Sequence, residues 1–454
     1  CSSDLTMIDS LISLVSTNTA IFYFCCLTLY PLSRYVLPKI KSRDHAAILH
    51  LILGIAESFI LFGKDTLIGF IVCLLPYLAL RKTNTKIAFI VNIICLFSSQ
   101  FYISFLGNDW ALDITCHTMI VFIKIWAFIC SIKDGKDKSE GKTLKREQWN
   151  LMAIEKMPSL TYYLSYLYTP YGSFSNPFID YNLFIYLLDT GKRDHSKLPE
   201  KDQKRAWMRY ICSFPYAIII SYFMSVITYD CYLSDWYLGL PIPLRIIASM
   251  ILTILTSARY FACWFAIEAG FYEAGLGSSG LIDFYGISNL NFIDTLTSGS
   301  VAEWLRRWNH TTHLFWKNNL FTRLLNAGYG HNFASFAVLA SSLLWHGFKA
   351  NYFLVLPELF VISQCDALWD KLITPNTSKF IKYLKMFYVL VSMLYTTSSW
   401  YYPSTQQFIY VRKTLGFVPF ILNIVVGIIC YIMLIQRKKG NKKTGESENA
   451  KKNC

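Results

Sequence analysis

The sequence predicts an all-α, polytopic membrane protein. Of its 454 residues, 54% are hydrophobic and 16% are charged, whereas soluble domains carry about 25% charged residues. Several uncharged stretches are long enough to cross a bilayer as helices. Basic residues fall in short clusters between these stretches, as in cytoplasmic loops beside anionic lipid headgroups. Together these observations predict about ten to eleven membrane helices plus re-entrant segments.

The apolar stretches predict the spans in order. Five precede a hydrophilic loop at 133–156, at residues 11–32, 46–62, 66–80, 87–106 and 111–132. Six follow it, at 210–229, 244–269, 324–348, 353–365, 384–401 and 415–436. The first stretch is interpreted as an anchor rather than a cleaved signal, and Cys1 stands where an initiator Met is expected. We expect residues 1–436 to form a single membrane domain.

Two regions depart from simple spans. Residues 157–188 are apolar but contain Pro158, Pro170 and Pro177, each of which removes a backbone hydrogen bond that lipid cannot replace. We therefore expect this region to be kinked or re-entrant. Residues 270–323 are too polar to span, yet they are rich in Trp and Phe. This pattern predicts an amphipathic, partly re-entrant segment on the cytoplasmic side.

Charge and cysteine usage narrow the class of protein. The net charge of +14 is spread over loop clusters, so no separate basic domain is available to hold nucleic acid. The 13 cysteines lie mostly within apolar runs and form no CxxC pair. They are best explained as small buried hydrophobes. No internal repeat is visible, which weighs against a transporter.

The C-terminal segment 437–454 is basic and predicted to be disordered. Lys451 and Lys452 stand fourth and third from the end, as in dilysine retrieval signals of endoplasmic-reticulum membrane proteins. Such a signal requires a cytosolic C-terminus, and the basic flank after residue 436 predicts that orientation independently. A Lys-rich tail also supplies such a pair by chance.

His346 is the first candidate for chemistry. It lies near the end of the 324–348 stretch, which contains no Asp, Glu, Lys or Arg. An ionisable group at membrane depth is costly unless it is paired, so it is a functional candidate by default. A neutral imidazole can take a proton from a hydroxyl. Gly347 would allow a substrate or backbone to approach closely. A satisfied core histidine is the structural alternative.

Asn309 is the second candidate. An uncharged amide can orient a hydroxyl or stabilise a thioester oxygen as charge builds on it. Helix capping or simple surface exposure is the alternative. Nearby Arg306, Arg307 and Lys317 could hold the phosphates of a cofactor such as coenzyme A, although loop flanking explains them equally well.

His310 and His313 lie one helical turn apart, but no carboxylate or cysteine cluster accompanies them, so no metal site is expected. Arg259 and Glu268 bracket an apolar run and are expected to pair with each other or with other spans.

Trp308 and Asn309, followed 37 positions later by His346 in a Trp-His-Gly sequence, resemble the signature of the membrane-bound O-acyltransferase (MBOAT) family. Residues 157–160 with Tyr166 and Pro177 are similar to the central segment of its lysophospholipid acyltransferase branch. Residues 258–270 and 286–289 are similar to members that use lysophosphatidylinositol. The resemblance covers most of the chain.

The resemblance implies that His346 is the catalytic histidine and Asn309 the catalytic asparagine. It also implies a helical fold with a catalytic tunnel, in which acyl-CoA enters from the cytosol and the acceptor from the bilayer. We place Trp308, Trp345 and Gly347, with the cations beside Asn309, among the expected substrate-binding residues. Acyl-CoA would be a co-substrate, and no permanently bound cofactor is expected.

The sequence departs from the family pattern at two places. Asn176-Pro177 replaces the Gly-Pro of many relatives. Residues 350–352, Ala-Asn-Tyr, replace a Pro-Gly-Tyr element. Both departures concern the identity of the acceptor.

The resulting hypothesis is a lysophospholipid O-acyltransferase of the endoplasmic-reticulum membrane, with a lysophospholipid and long-chain acyl-CoA as partners. One alternative is a protein O-acyltransferase whose acceptor enters from the lumen. A second is a transporter that uses His346 with Arg259 and Glu268 as a relay. A third is a scaffold protein without activity. Headgroup, acyl-chain preference and oligomeric state stay open at this point.

Overall fold

The computed structural model describes residues 17–106, 113–175, 177–190, 196, 198–226, 229–278, 287–348, 350–398, 402 and 404–452. All regular secondary structure in these ranges is helical, which confirms the predicted fold class. The chain divides into two compact units. The first comprises residues 1–228, 255–290 and 308–348, and the second comprises residues 229–254, 291–307 and 349–454.

The α-helices of the described residues are, in chain order, α1 (Thr17–Pro31), α2 (Arg43–Phe62), α3 (Thr66–Lys82), α4 (Thr85–Leu106), α5 (Ile114–Ser139), α6 (Glu147–Met152), α7 (Leu160–Tyr168), α8 (Tyr181–Thr190), α9 (Glu200–Val226), α10 (Asp235–Gly239), α11 (Ile242–Glu273), α12 (Phe292–Leu296), α13 (Val301–Arg307), α14 (His310–Trp316), α15 (Thr322–Asn326), α16 (His331–His346), α17 (Ala350–Asp370), α18 (Lys379–Ser398), α19 (Thr405–Thr414) and α20 (Val418–Lys452). Turns of 3-10 helix occur at Leu37–Lys39, Gly63–Asp65, Tyr229–Tyr232 and Leu276–Ser278, and π-helical turns at Leu32–Val36 and Lys317–Phe321.

Seven segments within the described ranges are long and apolar enough to cross a membrane: Ala20–Lys39, Arg43–Lys82, Thr85–Phe105, Ile114–Ser139, Ile242–Glu273, Asn351–Asp370 and Val418–Lys439. Arg43–Lys82 contains both α2 and α3, which the sequence predicts as two spans. The other predicted crossings map onto helices with charged turns, such as α9, or onto the 16-residue α16. Part of the first predicted span, residues 11–16, lies outside the described residues.

In the first unit, α4 packs against both α3 and α5, and α2 packs against α7. The outer faces of these helices remain apolar. Ile52, Ile71 and Ile94 each expose more than half of their surface. Apolar exposure on this scale is unfavourable in water but natural against lipid hydrocarbon, so these helices have the surface of membrane spans.

The region with three prolines is broken, as predicted. α7 ends at Tyr168, residues 169–175 and 177–180 are not helical, and α8 begins at Tyr181. The segment is buried: Tyr168 and Tyr171 are fully enclosed, and the Ser173 hydroxyl donates to the carbonyl of Leu167 at 2.7 Å. Irregular backbone at membrane depth is tolerated only when protein covers it in this way. Asn176 lies outside the described residues.

The predicted span at 324–348 is wrong as a single helix. α15 ends at Asn326, Gly328 adopts φ +92°, and α16 starts only at His331. A positive φ suits glycine and terminates a helix, so the uncharged stretch divides before the segment that carries His346. Residues 287–323 form the short helices α12 to α14, a π-helical turn and the start of α15 rather than a span.

The second unit is held by buried ion pairs. Arg412, which is fully buried, donates to both carboxylate oxygens of Glu358 at 3.0 and 3.1 Å. Lys385 lies 3.1 Å from Asp366 and donates to the carbonyl of Gly299 at 2.7 Å. Bidentate and multiply hydrogen-bonded pairs are the kind that offset the cost of removing charge from water.

α20 continues to Lys452, whereas the sequence predicts a disordered tail from residue 437. Lys, Glu and Ala are strong helix formers, so a helix that begins in an apolar span can extend into such a segment.

Candidate active site

His346 is the last residue of α16, and several contacts fix that helix end. Gly347 follows with φ +118°, a conformation that side-chain-bearing residues rarely adopt. The buried side chain of Gln100, on α4, donates to the carbonyl of Trp345 at 2.8 Å and to that of Leu344 at 3.3 Å. These bonds satisfy carbonyls that every helix end leaves without a partner, so His346 is positioned by α4 as well as by its own helix.

Trp345 anchors the same helix end to α5. Its indole Nε1 donates to the carbonyl of Met119 at 2.7 Å, and only 2% of the residue is exposed. Its ring lies 4.5 Å from the His346 ring and 6.3 Å from the Trp316 ring, between centroids. Trp345 thus packs against the imidazole of His346 and also contacts α14 through Trp316. His346 itself is partly buried.

Asn309 precedes α14 in a left-handed backbone conformation, with φ 48° and ψ 51°. Asn tolerates this region better than other side chains, and such residues often mark functional sites. Its side chain makes no capping hydrogen bond to α14, and the residue is partly buried. The capping and surface explanations of Asn309 therefore do not apply.

Asn289 determines which atom of the Asn309 side-chain amide is already hydrogen-bonded within the protein. The Oδ1 atom of Asn289 accepts from the backbone N–H of Thr311 at 3.0 Å and from its hydroxyl at 2.7 Å. Because a backbone N–H can only donate, the amide nitrogen of Asn289 must face the other way. It donates to Oδ1 of Asn309 at 3.0 Å. The Nδ2 group of Asn309 makes no hydrogen bond to any described residue, so this amide presents a donor to the site.

A second row of contacts holds Asn289. Its backbone N–H donates to Glu268 at 2.7 Å, and its carbonyl accepts from the backbone N–H of His310 at 2.9 Å. Glu268 is fully buried and forms an ion pair with Arg209 at 3.0 Å. Glu268 therefore pairs with a residue of another helix, one of the two arrangements that the sequence predicts for it. The side chain of Arg259 lies outside the described residues.

Trp308 packs among three aromatic side chains of α11. The ring centroids of Tyr260, Trp264 and Phe261 lie 5.9, 5.8 and 6.3 Å from that of Trp308, all near edge-to-face. Edge-to-face aromatic pairs are favourable and directional. These contacts hold Trp308, and with it the adjacent Asn309, against α11.

α14 connects the two candidate catalytic residues. Asn309 stands at its N-terminal end, and Trp316 at its C-terminal end packs against Trp345, next to His346. Seven helical residues extend over roughly 10 Å. Phe315, Trp316, Trp345 and Phe178 share one buried core with residues of α4 and α5. The Phe178 N–H also donates to the Thr311 hydroxyl at 2.8 Å.

The three predicted phosphate-binding cations have different surroundings. Arg307, in the second unit, forms an ion pair with Glu303 at 2.7 Å and donates to the carbonyl of Asp294. Arg306 is exposed and belongs to the same unit. Lys317 belongs to the first unit, is exposed, and makes no ion pair with a described residue. Phosphate binding by these three residues stays a prediction.

Sequence reasoning missed Asn289, Gln100 and Arg209 as parts of the site. In the sequence, residues 286–289 stand out only by family resemblance, and neither Gln100 nor Arg209 carries a local signal. Within the described residues, no group of three or more His, Cys, Asp or Glu side chains is arranged to hold a metal ion.

The protein is a multi-pass helical membrane protein, and its candidate site combines a histidine at the end of α16 with an asparagine at the start of α14. A sequence model of the MBOAT, membrane-bound O-acyltransferase family, matches residues 99–405, more than half of the chain. The chain therefore belongs to this family.

Several curated proteins are similar to it. "Lysophospholipid acyltransferase 6" of Drosophila melanogaster is 22% identical over 370 residues, which cover 76% of this chain and 50% of the relative. "Lysophospholipid acyltransferase" of Schizosaccharomyces pombe is 24% identical over 73% of this chain and 68% of its own length. The human "Membrane-bound glycerophospholipid O-acyltransferase 1" is 26% identical over 70% and 68%. The matches thus span from half to about two thirds of these relatives.

Proposed function

We propose that this protein is a lysophospholipid O-acyltransferase that transfers a fatty acyl chain from acyl-CoA to the free hydroxyl of a lysophospholipid. The observation that carries the proposal is the site itself: a histidine at a fixed helix end, and an asparagine whose Nδ2 donor is left available. The names of the similar curated proteins support the same reaction. We propose a lysophosphatidylinositol as the preferred acceptor, based on the resemblance of residues 258–270 and 286–289 to members that use it.

His346 acts as the general base in this proposal. The imidazole takes the proton of the lysophospholipid hydroxyl as the oxygen attacks the thioester carbon. The C–O bond forms, the C–S bond breaks, and the thiolate of coenzyme A leaves with the proton that His346 returns. The products are a diacyl phospholipid and free coenzyme A. Transfer is direct, so no acyl-enzyme forms.

Asn309 acts in this proposal as a hydrogen-bond donor that stabilises the transition state. Its oxygen is engaged by Asn289, so its Nδ2 donates to the thioester oxygen while negative charge develops there. A donor that is already oriented before the reaction needs no reorganisation at the transition state. Gln100 and Trp345 keep the imidazole in place, and proximity of the two substrates supplies a further part of the acceleration.

We further propose that the protein resides in the endoplasmic-reticulum membrane with its C-terminus in the cytosol. The basic residues after position 436 support that orientation. Acyl-CoA would then reach the site from the cytosolic side.

The function is tested by offering labelled oleoyl- and arachidonoyl-CoA to membranes that contain the protein. Lysophospholipids with inositol, choline, ethanolamine and serine headgroups serve as acceptors in parallel. We expect a labelled diacyl product, with the inositol lipid preferred. Membranes that lack the protein give the background.

Absence of product from every acceptor, with folded protein present, would contradict a lysophospholipid acyltransferase. Label found on protein instead of lipid would replace it with a protein acyltransferase. A preference for another headgroup would overturn only the inositol assignment.

A further inference from the structure

A cavity with a volume of about 430 Å³ lies on the outer, apolar surface of the first unit, between α3 and α4. It is lined by one face of α3, from Leu75 to Lys82, and by one face of α4, from Val91 to Cys95. We call this cavity the α3–α4 groove. Small-ligand sites usually have volumes of roughly 300–1,000 Å³, so the groove has room for part of a lipid molecule.

The wall formed by α3 is apolar and ends in a cation. Leu75, Leu78, Ala79 and Lys82 lie at positions i, i+3, i+4 and i+7 of the helix, so they share one face. Leu75 and Leu78 are 44 and 37% exposed, and the short side chain of Ala79 leaves space in the middle of this face. Seven residues of helix place Lys82 roughly 10 Å from Leu75 along the axis. The groove is therefore elongated, with its one lining cation at one end.

The wall formed by α4 faces away from the candidate active site. Val91, Ile94 and Cys95 share one face of this helix. Gln100, which holds the helix end that carries His346, follows Val91 by about two and a half helical turns and lies on the opposite face. A molecule in the groove is therefore separated from the candidate active site by α4.

The Lys82 end of the groove lies on the same side of the protein as the hydrophilic loop that follows α5. α4 and α5 are antiparallel, because Asn92 donates to the carbonyl of Phe122 at 3.1 Å and the hydroxyls of Ser99 and Thr118 lie 2.9 Å apart. The start of α4 is therefore level with the end of α5, where that loop begins. A charged turn beside a polar loop is typical of the membrane surface, so the groove extends from headgroup level into the apolar layer.

The turn between α3 and α4 carries positive charge without compensation. Arg81, Lys82 and Lys86 are exposed, and none of them forms an ion pair with a described residue. Residues 66–106 contain no Asp or Glu. The Arg81 guanidinium lies over the Tyr77 ring, whereas Lys82 lines the groove. Cations at the membrane surface attract anionic lipid headgroups, so the charge at this end complements an anion.

The same turn is held by its own hydrogen bonds. Thr83, which also lines the groove, donates from its backbone N–H and its hydroxyl to the carbonyl of Ala79, at 2.9 and 2.6 Å. The Oδ1 atom of Asn84 accepts from the N–H of Ile87 at 3.1 Å. These bonds satisfy the end of α3 and the start of α4. Lys82 therefore stands beside a structured turn, and a preorganised site costs less free energy to occupy.

We propose that the α3–α4 groove binds a bilayer phospholipid with an anionic headgroup. One acyl chain lies between the two helices, and the phosphate lies beside Lys82. The apolar walls suit a hydrocarbon chain, and a lysine ammonium binds phosphate as a point charge. The inference goes beyond the proposed function, because this lipid is neither the donor nor the acceptor of the acyl chain.

The probe is phosphatidylglycerol with a photoreactive acyl chain, at low concentration in phosphatidylcholine liposomes that contain the protein. After irradiation, mass spectrometry of peptides locates the labelled residues. We expect the label on the groove residues between Leu75 and Cys95. Excess unlabelled phosphatidylglycerol should compete with the probe more strongly than the same amount of added phosphatidylcholine does.

Two variants alter the groove, and each has a matched control. Lys82→Gln should lower labelling by about fivefold, which corresponds to about 1 kcal/mol for one cation at the membrane surface. Lys86→Gln removes the same charge from the same turn, but this residue does not line the groove, so it should retain most of the labelling. Ala79→Phe fills the groove and should also lower labelling. Ala56→Phe places the same side chain at an exposed position of α2 and should not.

The unfolding temperature of each variant shows that it is folded before its labelling is compared. Equal losses in Lys82→Gln and Lys86→Gln would overturn the inference, because lipid would then follow the general charge of the surface. Labelling that Ala79→Phe leaves unchanged would overturn it as well. A wild-type dimer that Ala79→Phe dissociates would assign the groove to a second copy of the chain instead.

A further comparison separates the groove from the candidate active site. His346→Ala should be labelled like the wild type, and loss of the label in that variant would place the lipid at the candidate active site and overturn the inference. Acyl transfer by the wild-type chain is measured independently. Its absence would remove the proposed function and leave the groove standing.

Discussion

Asn289→Asp tests how the orientation of the Asn309 amide determines activity. An aspartate retains the oxygen that accepts from the Thr311 N–H and hydroxyl, at 3.0 and 2.7 Å in the wild type. It loses the N–H that donates to Oδ1 of Asn309 at 3.0 Å. Two oxygens would then face each other, so the Asn309 amide is expected to rotate and donate its Nδ2 to the new carboxylate. The edge that faces the substrate becomes an acceptor.

The magnitude follows from the loss of one oriented donor. Removal of such a donor costs about 10²–10³ in kcat, or roughly 2.7–4 kcal/mol of transition-state stabilisation. The interaction forms mainly in the transition state, so kcat should fall while KM changes little. Asn309→Asp removes the same donor directly, and the double variant should be no worse than Asn309→Asp alone.

The assay is initial-rate acyl transfer by purified protein, with the unfolding temperature as a control for folding. The matched control is Asn182→Asp, which changes a partly buried asparagine whose amide donates to the carbonyl of Leu151 away from the site. A folded Asn289→Asp protein with more than half of wild-type kcat would refute the reasoning. Additive losses in the double variant would show that the two residues act independently.

Further predictions follow from other contacts. Glu268→Gln should lower the free energy of unfolding by about 1.5–3 kcal/mol, because Arg209, whose side chain is 27% exposed, loses a charge-assisted hydrogen bond to its buried partner. Thermal unfolding measures this, and unchanged stability would count against the pair. Gly347→Ala should lower the free energy of unfolding by roughly 1–3 kcal/mol and reduce kcat, because φ +118° strains any side-chain-bearing residue beside His346. Wild-type kinetics in this variant would contradict that prediction.

The sequence predicts the helical membrane fold and the identity of the two candidate catalytic residues, because both are encoded locally. Long uncharged stretches specify membrane helices without reference to their neighbours. The Trp-Asn and Trp-His-Gly elements are short and contiguous, so a single sequence suffices to find Asn309 and His346. The same holds for the break between α7 and α8, where prolines act on their own backbone.

The supporting residues could not be predicted because they come from distant parts of the chain. Gln100 lies more than 240 residues before the carbonyls that it binds, and Arg209 reaches Glu268 from another helix. Neither side chain differs in sequence from an ordinary polar residue near an apolar run. The uncharged stretch at 324–348 does not form the predicted single helix for a different reason. Hydropathy averages over Gly328, whose positive φ divides the stretch.

The central claim is that His346 is the base of an acyl transfer from acyl-CoA to a lysophospholipid. The most direct measurement is the rate at which purified protein in liposomes transfers labelled oleoyl chains from oleoyl-CoA to lysophosphatidylinositol. It compares the wild type, His346→Ala and the control His331→Ala, which removes an exposed histidine from the same helix. Loss of the base should lower the rate by about 10²–10⁴, and the control should retain the wild-type rate. Equal rates in His346→Ala and His331→Ala, with both proteins folded, would contradict the claim.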